Sequence, residues 1–258
     1  MAAAYFQRLG EGRFRATEHT GGAWEPDTQH IAPALGLLAH VVEVDRDRRR
    51  DDTLVVTRLS YDILGTVPID EVDVDVAVLR AGRTIELVEA VLAAHGRPSV
   101  RLRAWLMQRR DTRDLSGSGH PGLPGPEQTE PWDATSVWRG GFIAGAEVRR
   151  DQQAPGRARV WVRTSTDLVE GEPVSPMSRF AGLLDIANGM AVRADPAEVL
   201  FPNIDLTAHF FDQPRGEWLG LDTTVSFGRG GVGLTTSVVH DETGPVGTSS
   251  QSLTLRPR

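Results

Sequence analysis

The chain of 258 residues has no lysine and no cysteine, and all 28 of its basic residues are arginine. Without lysine there is no amine for a Schiff base and no phosphate-binding P-loop. Without cysteine there is no thiolate nucleophile, no disulfide framework and no thiolate zinc site. The absence does not fix the compartment, because a cytosolic chain needs no cysteine. No apolar run approaches the ~18 residues that span a bilayer. The start, Met1-Ala-Ala-Ala-Tyr-Phe-Gln-Arg8, lacks a basic-then-apolar signal pattern. A cytoplasmic location with no membrane partner is expected. A net charge of −7 argues against a nucleic-acid partner, whose binding rests on a basic surface. The seven histidines never adopt a metal-ligand spacing such as H-E-x-x-H, and no metal or cofactor is expected.

What is present is ordinary for a globular chain: 40% apolar and 24% charged residues, with 27 Gly and 16 Pro. The length fits one large domain or two small ones. Punctuation concentrates at 111–135, where four prolines and four glycines leave little to bury. That stretch is expected to link an N-terminal unit, 1–110, to a C-terminal unit, 136–258.

Val72, Val74, Val76 and Val78 alternate with Asp73, Asp75 and Ala77, the period of a half-buried strand. Residues 84–94, between the turn signals Ala81-Gly82-Arg83 and His95-Gly96-Arg97-Pro98, form one half of a hairpin, and 99–107 alternate again. In the second half strands are expected at 206–211, 218–227, 232–240 and 245–255. Each half also holds one apolar helical segment before these strands, at about 29–42 and 176–192. Ser175 before Pro176 reads as an N-cap followed by proline at the first helical position. Phe180, Leu183, Leu184, Ala187 and Met190 line one side of that helix.

The halves parallel each other. Arg80-Ala-Gly-Arg83, Ala90-Val-Leu92 and Gly96-Arg-Pro-Ser99 match Phe227-Gly-Arg-Gly230, Ser237-Val-Val239 and Gly244-Pro-Val-Gly247, with 148 positions between the last two glycines. The expected architecture is α+β: a helix wrapped by a curved antiparallel sheet, twice in tandem.

That pattern resembles the double hotdog fold. Ser175 to Gly189, Phe201-Pro-Asn-Ile-Asp-Leu-Thr-Ala-His209, Gly216-Glu-Trp-Leu219 and Gly244 to Leu253 are similar to the acyl-CoA thioesterase II type and to actinobacterial thioesterase-like proteins. The specific motifs begin at about residue 175; the first half matches in outline. The resemblance implies hydrolysis of an acyl thioester such as acyl-CoA. An Asp on the second helix, a Thr opening the next strand and a Gln near the C-terminus would activate water. These positions fall on Asp185, Asn203 and Gln251, so the Thr position holds an Asn, which lacks a hydroxyl.

The residues support such a role on their own terms. A carboxylate within an apolar helical stripe is desolvated, which raises its pKa toward that of a general base. An amide can donate to a carboxylate and accept from water. A water route needs no covalent enzyme intermediate, which agrees with the missing cysteine. Asp205, on the same strand face as Asn203, and Asn188, one turn beyond Asp185, are expected to brace the backbone.

Other signals point away from chemistry. Gly228-Arg-Gly-Gly-Val-Gly233 matches G-x-G-x-x-G but lies between strands, not before a helix. Gly117-Ser-Gly-His120 lacks the spacing of a nucleophile elbow. His30 and His40 are expected to pack. Trp24, Trp105 and Trp218 belong at the edges of sheet and helix. The run Asp45 to Asp52 reads as a solvated loop, although its arginines could meet a CoA phosphate.

Two rivals stand beside hydrolysis. One is an acyl- or CoA-binding double hotdog without turnover, motivated by Asn203. The other is a hydratase or dehydratase, which needs an Asp–His pair that the sequence does not display. Exposed sheet edges lead to the expectation of a homo-oligomer.

Overall fold

The computed structural model describes residues 3–25, 27–52 and 54–258. In the first half β1 (Ala4–Gly10), β2 (Arg13–Ala16), α1 (Ile31–Arg49), β3 (Leu54–Ile63), β4 (Glu71–Arg80), β5 (Ile85–Ala94) and β6 (Arg97–Gln108) follow in order. The second half has α2 (Gly141–Ala144), β7 (Ala146–Ala154), β8 (Arg157–Thr164), β9 (Asp167–Val169), α3 (Pro176–Ala181), α4 (Ala187–Met190), β10 (Val199–Leu200), β11 (Asp205–Phe210), β12 (Leu219–Phe227), β13 (Val232–Asp241), β14 (Gly244–Thr254) and β15 (Arg256–Pro257).

The first three turns of helix α1 are apolar almost all round. Ala32, Ala34, Leu35, Leu37, Leu38, Ala39 and Val42 are fully buried, as such a helix must be in water. Each fully buried leucine contributes about 1.5–3 kcal/mol. The sheet supplies the walls. Its strands alternate buried and open positions, as in β5, so one face turns inward.

Thirteen strands form one sheet in the order β7-β8-β12-β13-β14-β11-β3-β6-β5-β4-β2-β1-β9. Read outward from the β11–β3 seam, the two sides run in matching order: β3, β6, β5, β4, β2, β1 against β11, β14, β13, β12, β8, β7. Ser60 and Thr207 face each other across the seam and share a hydrogen bond of 3.0 Å. Both outer hairpins carry a bulge, after Leu92 and after Val239. These pairs fix the internal repeat at 147 residues, one fewer than the glycine-to-glycine spacing suggests, because Gly96 sits in its turn whereas Gly244 opens β14. The chain is therefore α+β and a double hotdog, as expected.

Several local expectations change. The second helix is not continuous over 176–192. It ends at Gly182, passes through a 3-10 turn at Leu184–Ile186, and resumes as α4. Gly182 lies where α3 crosses α1: a Cβ built on Gly36 would stand 2.8 Å from the Gly182 Cα. Glycine at the crossing permits this approach and lowers helix propensity at the same point. Conversely, α1 runs past 42 to Arg49, so the solvated loop expected from Asp45 begins as helix. The pair Arg49–Asp45, at i,i+4 and 2.6 Å, and three arginines in the last turn support that extension. Strands β1, β2, β3, β7 and β8 were not read from the sequence.

The stretch 111–135 has only short 3-10 turns, yet it is tied down. Trp161 Nε1 donates to the Pro124 carbonyl at 2.7 Å, and His240 Nε2 lies 3.0 Å from that of Pro121. No helix among the described residues is long and apolar enough to cross a membrane.

Candidate active site

Three side chains from separate elements meet inside the second half. Asp185 sits in the 3-10 turn between α3 and α4. Asn203 lies just before β11, held by a bridge to Leu253 on β14. Gln251 points inward from β14 and is 1% exposed. Asn203 Nδ2 donates to Asp185 Oδ1 at 2.6 Å, and Gln251 Nε2 donates to the same oxygen at 3.0 Å. The three residues read from the sequence thus converge on one carboxylate oxygen.

The other oxygen, Oδ2, has no hydrogen-bond partner among the described residues. Burial pushes the Asp185 carboxyl up to about 7, against the lowering effect of the Asn203 and Gln251 donors. Gln251 Oε1 is buried and unpartnered. The site therefore combines a carboxylate oxygen free to accept a proton with a buried amide oxygen free to accept from water.

His30 packs against Phe142 and also comes near this cluster. It caps α1, its Nδ1 accepting from the Ala32 amide at 3.2 Å, and its ring lies over Phe142 at 4.3 Å. The same Nδ1 is 3.8 Å from Asp185 Oδ2. That distance is too long for a hydrogen bond, and burial lowers the imidazole pKa to about 4. The contact is a juxtaposition of two mostly uncharged groups rather than an ion pair. It brings together an Asp and a His that lie 155 positions apart in the chain, a pairing no local motif could display.

The 147-residue repeat shows where the polarity was placed. The counterpart of Gln251 is Ala104, and that of Asn203 is Val56. On the helices the crossing glycines are 146 positions apart rather than 147, and Asp185 follows Gly182 by three positions, as Ala39 follows Gly36. Ala39, Val56 and Ala104 are all fully buried. The difference extends along the inner face: Thr223, Thr235, Ser237 and Ser249 are buried where the first half places Val76, Val88, Ala90 and Leu102. Thr235 pairs with Gln251 across the strands, and its Oγ1 is buried without a partner. This inward hydroxyl stripe was missed in the sequence; aligning the halves at the correct spacing would have exposed it.

Other candidates take structural roles. Asp205 Oδ1 accepts from the Ser252 amide at 2.6 Å, and Asn188 donates to the Phe201 carbonyl at 3.3 Å. His40 and Arg8 hold Glu172, whose carboxyl they lower to about 2, the Arg8 hydrogen bond most strongly. Arg46 donates to the Leu54 carbonyl, and Arg49 and Arg50 to the buried Glu86. Gly228 to Gly231 form the β12–β13 turn, where Gly231 has a φ of +81°, and Gly233 pairs with Phe227 in the ladder. Trp24 packs edge-on against Trp138 and Phe201. No cluster of His, Asp and Glu suited to a metal ion exists among the described residues.

A cleft of about 320 Å³ is bordered by Tyr5, Thr164, Leu168, Gly182 and Leu183, and Asp185, Asn203, Gln251 and His30 do not line it.

The fold is that of a hotdog protein. The sequence matches the acyl-CoA thioesterase N-terminal domain over residues 20–107 and the acyl-CoA thioesterase C-terminal domain over 111–255, and the chain belongs to that family. No curated protein matches it in sequence. Among solved structures it is similar to a protein of unknown function with hotdog fold from Alicyclobacillus acidocaldarius, at 13% identity and TM-score 0.74, covering 97% and 95% of the two chains. An acyl-CoA thioesterase II from Mycobacterium marinum shares 16% identity at TM-score 0.69 over 98% and 96%. The dehydratase domain from the CurJ module of the curacin polyketide synthase reaches TM-score 0.57 at 9% identity over 100% and 97%.

Proposed function

We propose that this protein hydrolyses acyl thioesters of the acyl-CoA class with water as the nucleophile. One observation carries the reading: Asp185 is buried and titrates near neutrality, with one oxygen held by two amides and the other unengaged. A base poised near the working pH combines the right protonation state with driving force for proton transfer.

In this reading Asp185 Oδ2 takes a proton as the water oxygen bonds to the thioester carbon. The carbonyl π pair moves onto oxygen. The tetrahedral species collapses, the C–S bond breaks, and the leaving sulfur takes the proton back from Asp185. The products are a carboxylic acid and a thiol. Asn203 and Gln251 orient the carboxyl, and Gln251 Oε1 accepts a hydrogen bond from the water. Asn203 retains the donor function that a threonine hydroxyl would supply at that position.

Free thiol release from a panel of acyl-CoA esters tests the reading. Turnover by wild type that is lost in Asp185→Ala supports it. Equal inactivity of both across chain lengths overturns it and leaves acyl or CoA binding without turnover. We also infer a homo-oligomer, since the sheet is open and ends at β7, where residues 130–132 cover part of the edge, and at β9; light scattering would show a monomer if that is wrong.

A further inference from the structure

The unengaged oxygen of Asp185 has a neighbour that the trio does not use. His30 comes from the first half, and its side chain is 13% exposed. Because Nδ1 accepts the Ala32 amide hydrogen, that nitrogen keeps its lone pair. A neutral imidazole with an acceptor at Nδ1 carries its proton on Nε2. No described residue accepts that proton. An imidazole in this form can donate through Nε2, but it has no lone pair there with which to abstract one.

We propose that His30 is a further catalytic residue, whose Nε2–H donates a hydrogen bond to the thioester carbonyl oxygen and holds the oxyanion formed when water attacks. The proposal rests on the hydrolytic reading above. The geometry suits it in three ways. Nδ1 lies 3.8 Å from Asp185 Oδ2, which sets the imidazole ring beside the base. Stacking on Phe142 and the bond to Ala32 fix the ring in place, as a preorganised donor requires. The corresponding N-cap of α3, Ser175, is not free for such a role, since its hydroxyl donates to Glu43 and accepts from the Ser178 amide. Burial, which lowers the His30 pKa to about 4, keeps the ring neutral at the pH where Asp185 titrates. A neutral donor does not neutralise the base beside it. The tautomer argues against the dehydratase rival, which would need a basic nitrogen facing the substrate, because the one lone pair of the ring is taken by the Ala32 amide.

The test compares two variants by steady-state kinetics on an acyl-CoA ester. His30→Ser keeps an N-cap for α1 and deletes the Nε2 donor; His30→Phe keeps the aromatic stack and deletes both. Each is expected to lower kcat by about 10²-fold or more, the effect of losing one oxyanion donor, with little change in KM. Thermal melting of His30→Ser should stay close to wild type. Imidazole ¹⁵N shifts should show the Nε2–H tautomer, uncharged at pH 6. The proposal is overturned if His30→Ser keeps kcat within about twofold of wild type, or if the ring is protonated or carries its proton on Nδ1. If wild type is itself inactive, the hydrolytic reading falls and this proposal with it. If wild type is active, Asp185→Ala is dead and His30→Ser turns over normally, only the role of His30 falls.

Discussion

The two halves wrap matching strands around two comparable positions, on a continuous helix in one and a broken helix in the other, yet only one is polar. On one side of the seam Asp185, Asn203 and Gln251 meet beside His30; on the other stand Ala39, Val56 and Ala104. The inner sheet face follows suit, with Thr235 and Ser237 in the second half against Val88 and Ala90 in the first. A buried amide or carboxyl is costly unless partnered, whereas alanine and valine at the same depth stabilise the core. The first-half position is what this fold builds for stability alone. The second-half position departs from it at several buried sites at once, which supports the functional role proposed for it. The helix ends differ in the same sense: His30 keeps a free donor, whereas Ser175 is tied to Glu43.

The largest difference between the positions should appear on exchanging their central residues. Asp185→Asn should lower kcat by about 10²–10⁴-fold, the usual worth of a general base, in a thiol-release assay. Ala39→Asp should give no new activity and lose on the order of 3–5 kcal/mol in urea unfolding, since no amide pair awaits the charge.

The pH dependence follows from Asp185 alone among the trio. Its unprotonated form is the base, so kcat/KM should rise with pH and level off above about 7. The Gln251 donor lowers that pKa, so Gln251→Ala should move the inflection to higher pH. Stability runs the other way. The folded pKa of about 7 exceeds the unfolded 3.8, so the favourable contribution is full below 3.8 and is lost as pH rises through 7. Asp185→Asn should therefore gain stability relative to wild type between pH 4 and pH 8, by a few kcal/mol, roughly, in paired urea titrations. A constant difference would show that the carboxyl is not desolvated.

Smaller effects probe the scaffold. Ala104→Gln should cost about 1–3 kcal/mol by burying an amide where no carboxylate meets it. Gly36→Ala should cost about 1–3 kcal/mol, because its Cβ would press to 2.8 Å on Gly182 and 3.0 Å on the Ser178 carbonyl. Gly182→Ala meets its nearest neighbours only at 3.4–3.5 Å and should stay within about 0.5 kcal/mol. Equal costs at the two glycines would mean that the crossing is not as close as described.

Much of this was legible before the structure. The alternation at Val72–Val78 located β4, the turn glycines located the β5–β6 hairpin, and the apolar segments located both helices. Asp185 stood out because a carboxylate in an apolar stripe is rare. Asn203 and Gln251 did not stand out in that way; only the resemblance to known thioesterases pointed to them. Strands β1 and β7 escaped because arginines and glutamines interrupt their apolar pattern, whereas in β2 and at the start of β8 arginines alternate with buried residues, a signal that was present but passed over. The break in the second helix escaped because Gly182 reads as an ordinary weak helix former until Gly36 is seen against it.

The absence of lysine and cysteine was decided by sequence alone: it removes covalent routes through an amine or a thiolate, whatever the fold. So were the period of the strands and the apolar character of the helices, because side-chain direction repeats along a regular backbone. The polarity of one position and not its twin, the free oxygen of Asp185 and the nearness of His30 were decided only by tertiary structure. They depend on which residues the sheet's register and the helix crossing bring within a few ångströms, across separations of 18, 66 and 155 positions that no local pattern encodes.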